Sequence, residues 1–325
     1  VEAVAASTMT NGCILVLDTA TAAVRASVSV PGYDPEHLAD SLQAENSPFL
    51  NRALQSYAVG SVFKPVLAAA AMEAGLQPVF ECTGAVVVDG QIFRCAGGVP
   101  HGQVDLAAAL EKSCNGYFIR LGQQLGAESL LDAAKAFGFG KSLPLAEGLA
   151  AEAGQLPAPQ ELAQSGQLAN FSFGQGSLLA APMQVAALFN TLAADGVYRA
   201  PYVLQATLDE TTGQPVETLS HPRGRRVISA QNAALLRAML VQVVQQGTAQ
   251  DAAGLSGGAG GKTGTAQTGQ FTPEGAERCN LWFAGFWPAE KPRYTIVVLQ
   301  DGAIHTAYSG ADIFAQVCNA LEAAG

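Results

Sequence analysis

Ser61-Val62-Phe63-Lys64 places a hydroxyl and an amine three residues apart. On a helix that spacing puts both side chains on one face. A serine hydroxyl is a weak nucleophile until a base takes its proton. A lysine in a dry pocket, near other positive charge, loses enough basicity to be that base. A serine at a helix start also has free N–H groups and the positive end of the helix dipole beside it. Alone the motif is weak, because Ser and Lys fall at this spacing on ordinary helices too.

Ser113-Cys114-Asn115 is the second element. It interrupts an apolar stripe, Leu106, Leu110, Cys114, Phe118, Leu121 and Leu125, that recurs in steps of three and four. The interruption predicts a helix–helix junction that points into a cleft. There a hydroxyl could relay a proton between base and leaving group, and an amide could hold the lysine and the substrate backbone. By itself the tripeptide is better read as a Ser/Asn cap on the second helix.

The third element is Lys262-Thr263-Gly264-Thr265. Alternating threonines around a residue without a side chain suit an exposed strand edge that a peptide joins by β-augmentation. Lys262 offers charge to a carboxylate, and Thr263 and Thr265 offer hydroxyls. The N–H groups of Ser61 and Thr265 together would form an oxyanion hole. The rival reading is a phosphate loop, G-x-x-x-x-G-K-[ST]. Gly261-Lys262-Thr263 fits it, but Ser256 stands where the first Gly belongs. Gly264-Thr265-Ala266-Gln267 is also a poor helix start.

These elements need a scaffold. Cys13–Asp18 and Val24–Val30 read as two strands of a hairpin, as do Leu281–Trp287 and Tyr294–Gln300. The segment Ala311–Ala323 has helical spacing. One sheet built from both chain ends is the expectation, roughly residues 11–60 and 255–325, with helices over 61–250. Those helices are Lys64–Ala74, the interrupted stripe, Pro182–Ala194 with Pro in its first turn, and a helix capped by Ser229 and ended by Gly247. The tracts 143–166 and 256–261 read as loops.

Within 82–95 lies a small hairpin insertion. Asp89-Gly90 between apolar runs is a strong type I′ turn signal. Its register puts Cys82 and Cys95 on one face, two positions from direct opposition. Such neighbours sit about 7–8 Å apart, slightly too far for a disulfide without local bending. A Cys82–Cys95 disulfide is expected, with two free thiols as the competing state. A disulfide would imply an oxidising compartment.

The 325 residues suffice for one large domain with a sizeable core. Hydrophobic residues make up 49% and charged residues 14%, which excludes a disordered chain. A formal charge of −10 argues against nucleic acid as a partner. Six cysteines without a C-x-x-C pair, and histidines scattered at 37, 101, 221 and 305, show no metal-ligand spacing. No metal and no cofactor are expected. No apolar run is long enough to cross a bilayer. The start, Val1-Glu2-Ala3-Val4, has no basic region and no initiating Met, and reads as the end of an excised piece.

Together the three elements resemble the active-site motifs of the penicillin-binding proteins and class A β-lactamases. Further stretches resemble the class B penicillin-binding proteins: Leu15-Val16-Leu17-Asp18, Gly174-Gln175-Gly176 before Pro182-Met183-Gln184, and Trp282-Phe283-Ala284-Gly285-Phe286. The resemblance runs from about residue 11 to the end and implies a transpeptidase domain. The implied fold is α+β, an antiparallel sheet of about five strands flanked by helices, with an all-helical lobe forming the other wall of the cleft. It implies Ser61 as the acylated nucleophile, Lys64 as base, Ser113 and Asn115 as proton shuttle and substrate guide, and Lys262, Thr263, Gly264 and Thr265 as the substrate edge. The implied substrates are D-Ala-D-Ala stem peptides, with β-lactams as covalent ligands. The implied place is the extracytoplasmic face of the membrane, with an N-terminal anchor and docking sites for cell-wall synthesis proteins outside this chain. The family more often has Thr where Val62 stands. A β-lactamase would need a deacylating glutamate, for which Glu161 is the only candidate, and its Pro- and Gln-rich loop suits a solvated residue better. The same three motifs would also serve a D,D-carboxypeptidase, or a β-lactam sensor domain that is acylated once and signals.

Overall fold

The computed structural model describes residues 1–219 and 223–324. His221 therefore lies outside the described residues. Five strands form one antiparallel sheet: β1 (Gly12–Asp18), β2 (Val24–Val30), β3 (Gly260–Phe271), β4 (Glu277–Trp287) and β5 (Tyr294–Ala303). Their order is β3-β4-β5-β1-β2, so both chain ends meet where β1 pairs with β5, Gly12 opposite Gln300 and Asp18 opposite Tyr294. This is the α+β architecture expected from the resemblance.

Strand β1 is buried along almost its whole length. That is why Cys13–Leu17 reads as a continuous apolar run instead of alternating: both faces of the sheet are covered. On one face Phe283 packs against Phe314 of the helix Gly310–Ala323, with ring centroids 4.7 Å apart. Its neighbour Trp282 turns to the other face, where its Nε1 donates to Ala58 O at 2.9 Å. The helix Pro182–Ala193, buried throughout, covers that second face. A buried polar clamp fixes it there. Thr295 Oγ1 donates to Asn190 Oδ1 at 3.0 Å, and Asn190 Nδ2 donates to Thr19 O at 3.3 Å.

Between the two halves of the sheet come the helices Lys64–Glu73, Leu106–Glu111, Asn115–Leu125 and Ala230–Gln245. Ser229 caps the last of these through its hydroxyl, as its position suggests. The insertion hairpin pairs Ala85 with Arg94 and Val88 with Gln91, and both turn residues have positive φ, Asp89 at 48° and Gly90 at 80°. That is the backbone a type I′ turn demands.

The tract 143–166 is not plain loop. It holds a short hairpin, Leu143–Ala146 with Leu149–Ala151, and a helical turn, Pro159–Leu162. Strands this short carry too little alternation to be read from sequence. Likewise, the glycine tract ends inside β3. A Cβ at Gly260 would strike the Phe286 ring and one at Gly261 the Phe283 ring, so these glycines serve close packing on β4.

Gln184 ties this layer together. Fully buried, it accepts from Ala181 N at 2.9 Å through Oε1. Its Nε2 serves the carbonyls of Gly138, Lys141 and Ala153 at 3.2, 3.0 and 2.9 Å. Gln184→Ala would strand these buried groups and is expected to destabilise the domain by about 3 kcal/mol. A urea unfolding curve with an unchanged midpoint would refute this.

Candidate active site

Ser61 sits, half-buried, in the 3-10 turn Gly60–Phe63, which runs directly into the helix Lys64–Glu73. Two glycines make that turn possible. Gly60 has φ +64°, and a Cβ there would stand 2.6 Å from Thr265 O. Its N–H donates to Gly174 O at 2.8 Å. Gly174, at φ +85°, lies so close that a Cβ would strike Gly60 O. The Gly174-Gln175-Gly176 stretch thus holds the Ser61 turn from behind.

In front of that turn lies β3, an edge strand paired only with β4. Gly264 faces the turn so closely that a Cβ would be 3.1 Å from Val62 N. Thr265 is exposed on this edge, and Thr263 is half-buried, its Oγ1 2.7 Å from Thr248 Oγ1. Gln175 Nε2 approaches Thr265 O at 3.5 Å, long for a hydrogen bond. No helix follows Lys262-Thr263, because the chain continues as strand to Phe271. A phosphate loop is therefore excluded on the geometry such a loop requires.

Lys64 is fully buried. Its Nζ donates to Ser113 O at 2.8 Å, Ser113 Oγ at 3.1 Å and Asn115 Oδ1 at 2.7 Å. The Phe118 ring lies 5.5 Å away. Ser113 reaches Lys64 with both oxygens because its φ is +52°, a left-handed conformation costly for a residue with a Cβ. Burial pulls the Lys64 pKa down to about 7, against a smaller opposing effect of the Cys114 and Cys95 thiols. Lys262 is also fully buried, with Nζ on Thr263 O at 3.2 Å. Burial, and then the charge of Lys64, hold its pKa well below the usual lysine range.

The structure thus brings the Ser61 turn, Lys64, Ser113, Asn115 and Lys262–Thr265 together in one place. Two details differ from the sequence reading. The cap of the Asn115–Leu125 helix is Cys114, whose Sγ accepts from Tyr117 N at 3.4 Å, so Ser113 and Asn115 are free for Lys64. And Lys262 is not presented at the surface of the edge. Thr263 and Thr265 are nearer to solvent, while the lysine lies fully buried beneath them.

Cys82 and Cys95 are free thiols, not a disulfide, with sulfurs 3.6 Å apart. A third cysteine, Cys114, stands 3.9 Å from Cys95 Sγ and shares the space. Glu161 is held by Ser177, whose Oγ donates to its Oε1 at 2.6 Å, within the short Pro159–Leu162 helix. Sequence reasoning missed Thr248, the Phe118 ring and Arg94 O, which accepts from Asn115 Nδ2 at 2.9 Å. Of these only Phe118 left a signal, as a member of the apolar stripe.

A buried lysine one turn from a half-buried serine, bonded to a second Ser/Asn motif and set beside an edge strand, is the arrangement of a serine acyltransferase. The penicillin binding protein transpeptidase domain family matches residues 12–321, and the chain belongs to it. It is 32% identical over 355 aligned positions to the peptidoglycan D,D-transpeptidase PbpA of Mycolicibacterium smegmatis, covering 100% of this chain and 70% of that protein. Against PbpA of Mycobacterium tuberculosis it is 31% identical, with 96% of this chain and 66% of that protein covered. The chain thus spans about two thirds of the lengths of these relatives. Among solved structures, the D,D-transpeptidase domain from Eggerthella lenta superposes with a TM-score of 0.87 at 26% identity, covering 99% of this chain and 80% of that one. The ceftriaxone acyl-enzyme complex of M. tuberculosis penicillin-binding protein A gives 0.85 at 28%, with 97% and 74% covered.

Proposed function

We propose that this domain is a peptidoglycan D,D-transpeptidase that works through Ser61. The observation carrying the reading is that one buried amine, Lys64, touches both Ser113 and Asn115 while β3 closes on the Ser61 turn. Neutral Lys64 takes the Ser61 Oγ proton as Oγ attacks the penultimate carbonyl of a stem peptide ending in D-Ala-D-Ala. The N–H groups of Ser61 and Thr265 hold the oxyanion. The C–N bond breaks, and the departing D-Ala amine receives the proton through Ser113. An amine of a second stem peptide then attacks the Ser61 ester, forming the cross-link and freeing the hydroxyl.

Asn115 and the open side of β3 hold the substrate backbone. Thr263 and Thr265 bind its carboxylate, with Lys262 contributing positive field from below. A β-lactam enters as a cyclic amide in place of D-Ala-D-Ala. Glu161, the one candidate for a deacylating base, accepts a hydrogen bond from Ser177 in the loop-borne Pro159–Leu162 helix, and a long-lived acyl-enzyme is the expected outcome. Such chemistry places the domain on the extracytoplasmic face, where the wall is built. Among the described residues no helix is long and apolar enough to cross a membrane.

Incubation with a D-Ala-D-Ala donor peptide and an amine acceptor tests the reading. The expected products are free D-Ala and the donor–acceptor dimer. Hydrolysed donor alone would make the protein a carboxypeptidase. Fast turnover of a β-lactam adduct would make it a β-lactamase.

A further inference from the structure

The fold gathers four groups that no spacing in the sequence announces. Sγ of Cys82, Cys95 and Cys114 and a ring nitrogen of His101 all lie within 4.8 Å of one another. The three thiols are buried and His101 is half-buried. Cys82 Sγ is 3.6 Å from Cys95 Sγ and 3.4 Å from His101 Nδ1, and Cys95 Sγ is 3.9 Å from Cys114 Sγ. A disulfide needs about 2.0 Å between sulfurs. A tetrahedral zinc with Zn–S near 2.3 Å and Zn–N near 2.0 Å puts its ligand atoms roughly 3.5–3.8 Å apart. The three shortest separations, 3.4, 3.6 and 3.9 Å, lie near the second figure and far from the first, and the remaining pairs stay within 4.8 Å.

We propose that Cys82, Cys95, His101 and Cys114 form a structural Cys₃His site for a thiophilic divalent ion, zinc being the fit by ligand set and geometry. The backbone is arranged for it. Cys82 ends the strand Phe80–Cys82, which pairs with Gly102–Val104, and His101 N donates to Cys82 O at 3.0 Å. Cys95 closes the insertion hairpin, with its N–H on Gly84 O at 3.0 Å. Cys114 starts the next helix and accepts an N–H from Tyr117. Backbone donors to a ligating sulfur are the outer contacts such sites use. On binding, the metal–sulfur bonds replace S–H bonds and the thiol protons leave to solvent.

The location gives the ion a role in positioning. Cys114 stands between Ser113 and Asn115, and the carbonyl oxygen of Arg94, next to Cys95, accepts from Asn115 Nδ2 at 2.9 Å. The ion would lock the insertion hairpin to the turn that holds Lys64. Metal binding itself stands or falls independently of whether Ser61 is acylated.

The test is metal analysis of the domain purified under reducing conditions, with cobalt(II) titration of the chelator-stripped protein. About one zinc per chain is expected, and cobalt should develop the thiolate charge-transfer and tetrahedral d–d bands of a sulfur-rich site. Cys95→Ser should weaken those bands and raise the cobalt Kd at least about tenfold. Zinc should also raise the Tm of the stripped wild type, a readout that needs no variant to fold. No zinc together with no cobalt bands in the wild type would overturn the proposal. So would recovery of the domain two hydrogen masses lighter with Cys82 and Cys95 joined.

Discussion

Ser61→Ala is expected to abolish covalent labelling by a β-lactam, read as the complete loss of the adduct mass on the intact domain. The loss follows from the chemistry: no other group replaces Oγ as the atom that forms the ester. The fold should survive. Ser61 is half-buried in a turn whose shape is set by Gly60 and Gly174, and alanine retains the backbone and its N–H. Stability should therefore stay within about 0.5 kcal/mol of wild type. The N–H groups of Ser61 and Thr265 and the hydroxyls on β3 also remain, so reversible binding should persist without acylation. An adduct on the variant, mapped to any peptide of the domain, would remove Ser61 from its role.

Removing Lys64 should be nearly as damaging for a different reason. Lys64→Ala is expected to slow acylation by about 10²–10⁴-fold, the usual contribution of a positioned base. The substitution also strands Ser113 O and Asn115 Oδ1, so part of the loss could come from disorder in the second motif. Lys64→Met strands the same two oxygens but keeps the stem packed beside Phe118, so it separates loss of the amine from loss of packing. It should lose acylation to the same extent. The wild-type pH profile gives an independent reading. The active form is the neutral amine, and burial lowers its pKa to about 7. Below that value the neutral fraction falls about tenfold per pH unit, and above it the fraction saturates. Acylation should therefore rise with pH through about 7 and level off. A flat profile across this range, or near-normal acylation by Lys64→Met, would move the base elsewhere.

Much of this site was legible in the chain because its information is local or ordered. Ser61 and Lys64 fall within one turn, so helix geometry alone puts them on a common face. Val24–Val30 and Asp89-Gly90 declare their hairpins through residue type and turn chemistry, and the break in the Leu106–Leu125 stripe marks the junction where Ser113 and Asn115 sit. The order of three motifs along the chain carried the rest of the family assignment. The short hairpin at 143–151 escaped, since a few residues show no period.

What the amino-acid order by itself determined is the inventory and its sequence: a serine one turn from a lysine, a second Ser/Asn pair, a threonine-flanked strand, and the hairpins that become a sheet. Only the folded chain decided that Lys64 lies dry, with its amine on both oxygens of Ser113, because that depends on burial and on a left-handed residue which no spacing reveals. The fold likewise decided that Lys262 sits beneath the edge and not upon it. It alone brought Cys82, Cys95, His101 and Cys114 together, since each comes from a different strand, turn or helix end. Their approach is a property of packing in three dimensions, to which separation along the chain is blind.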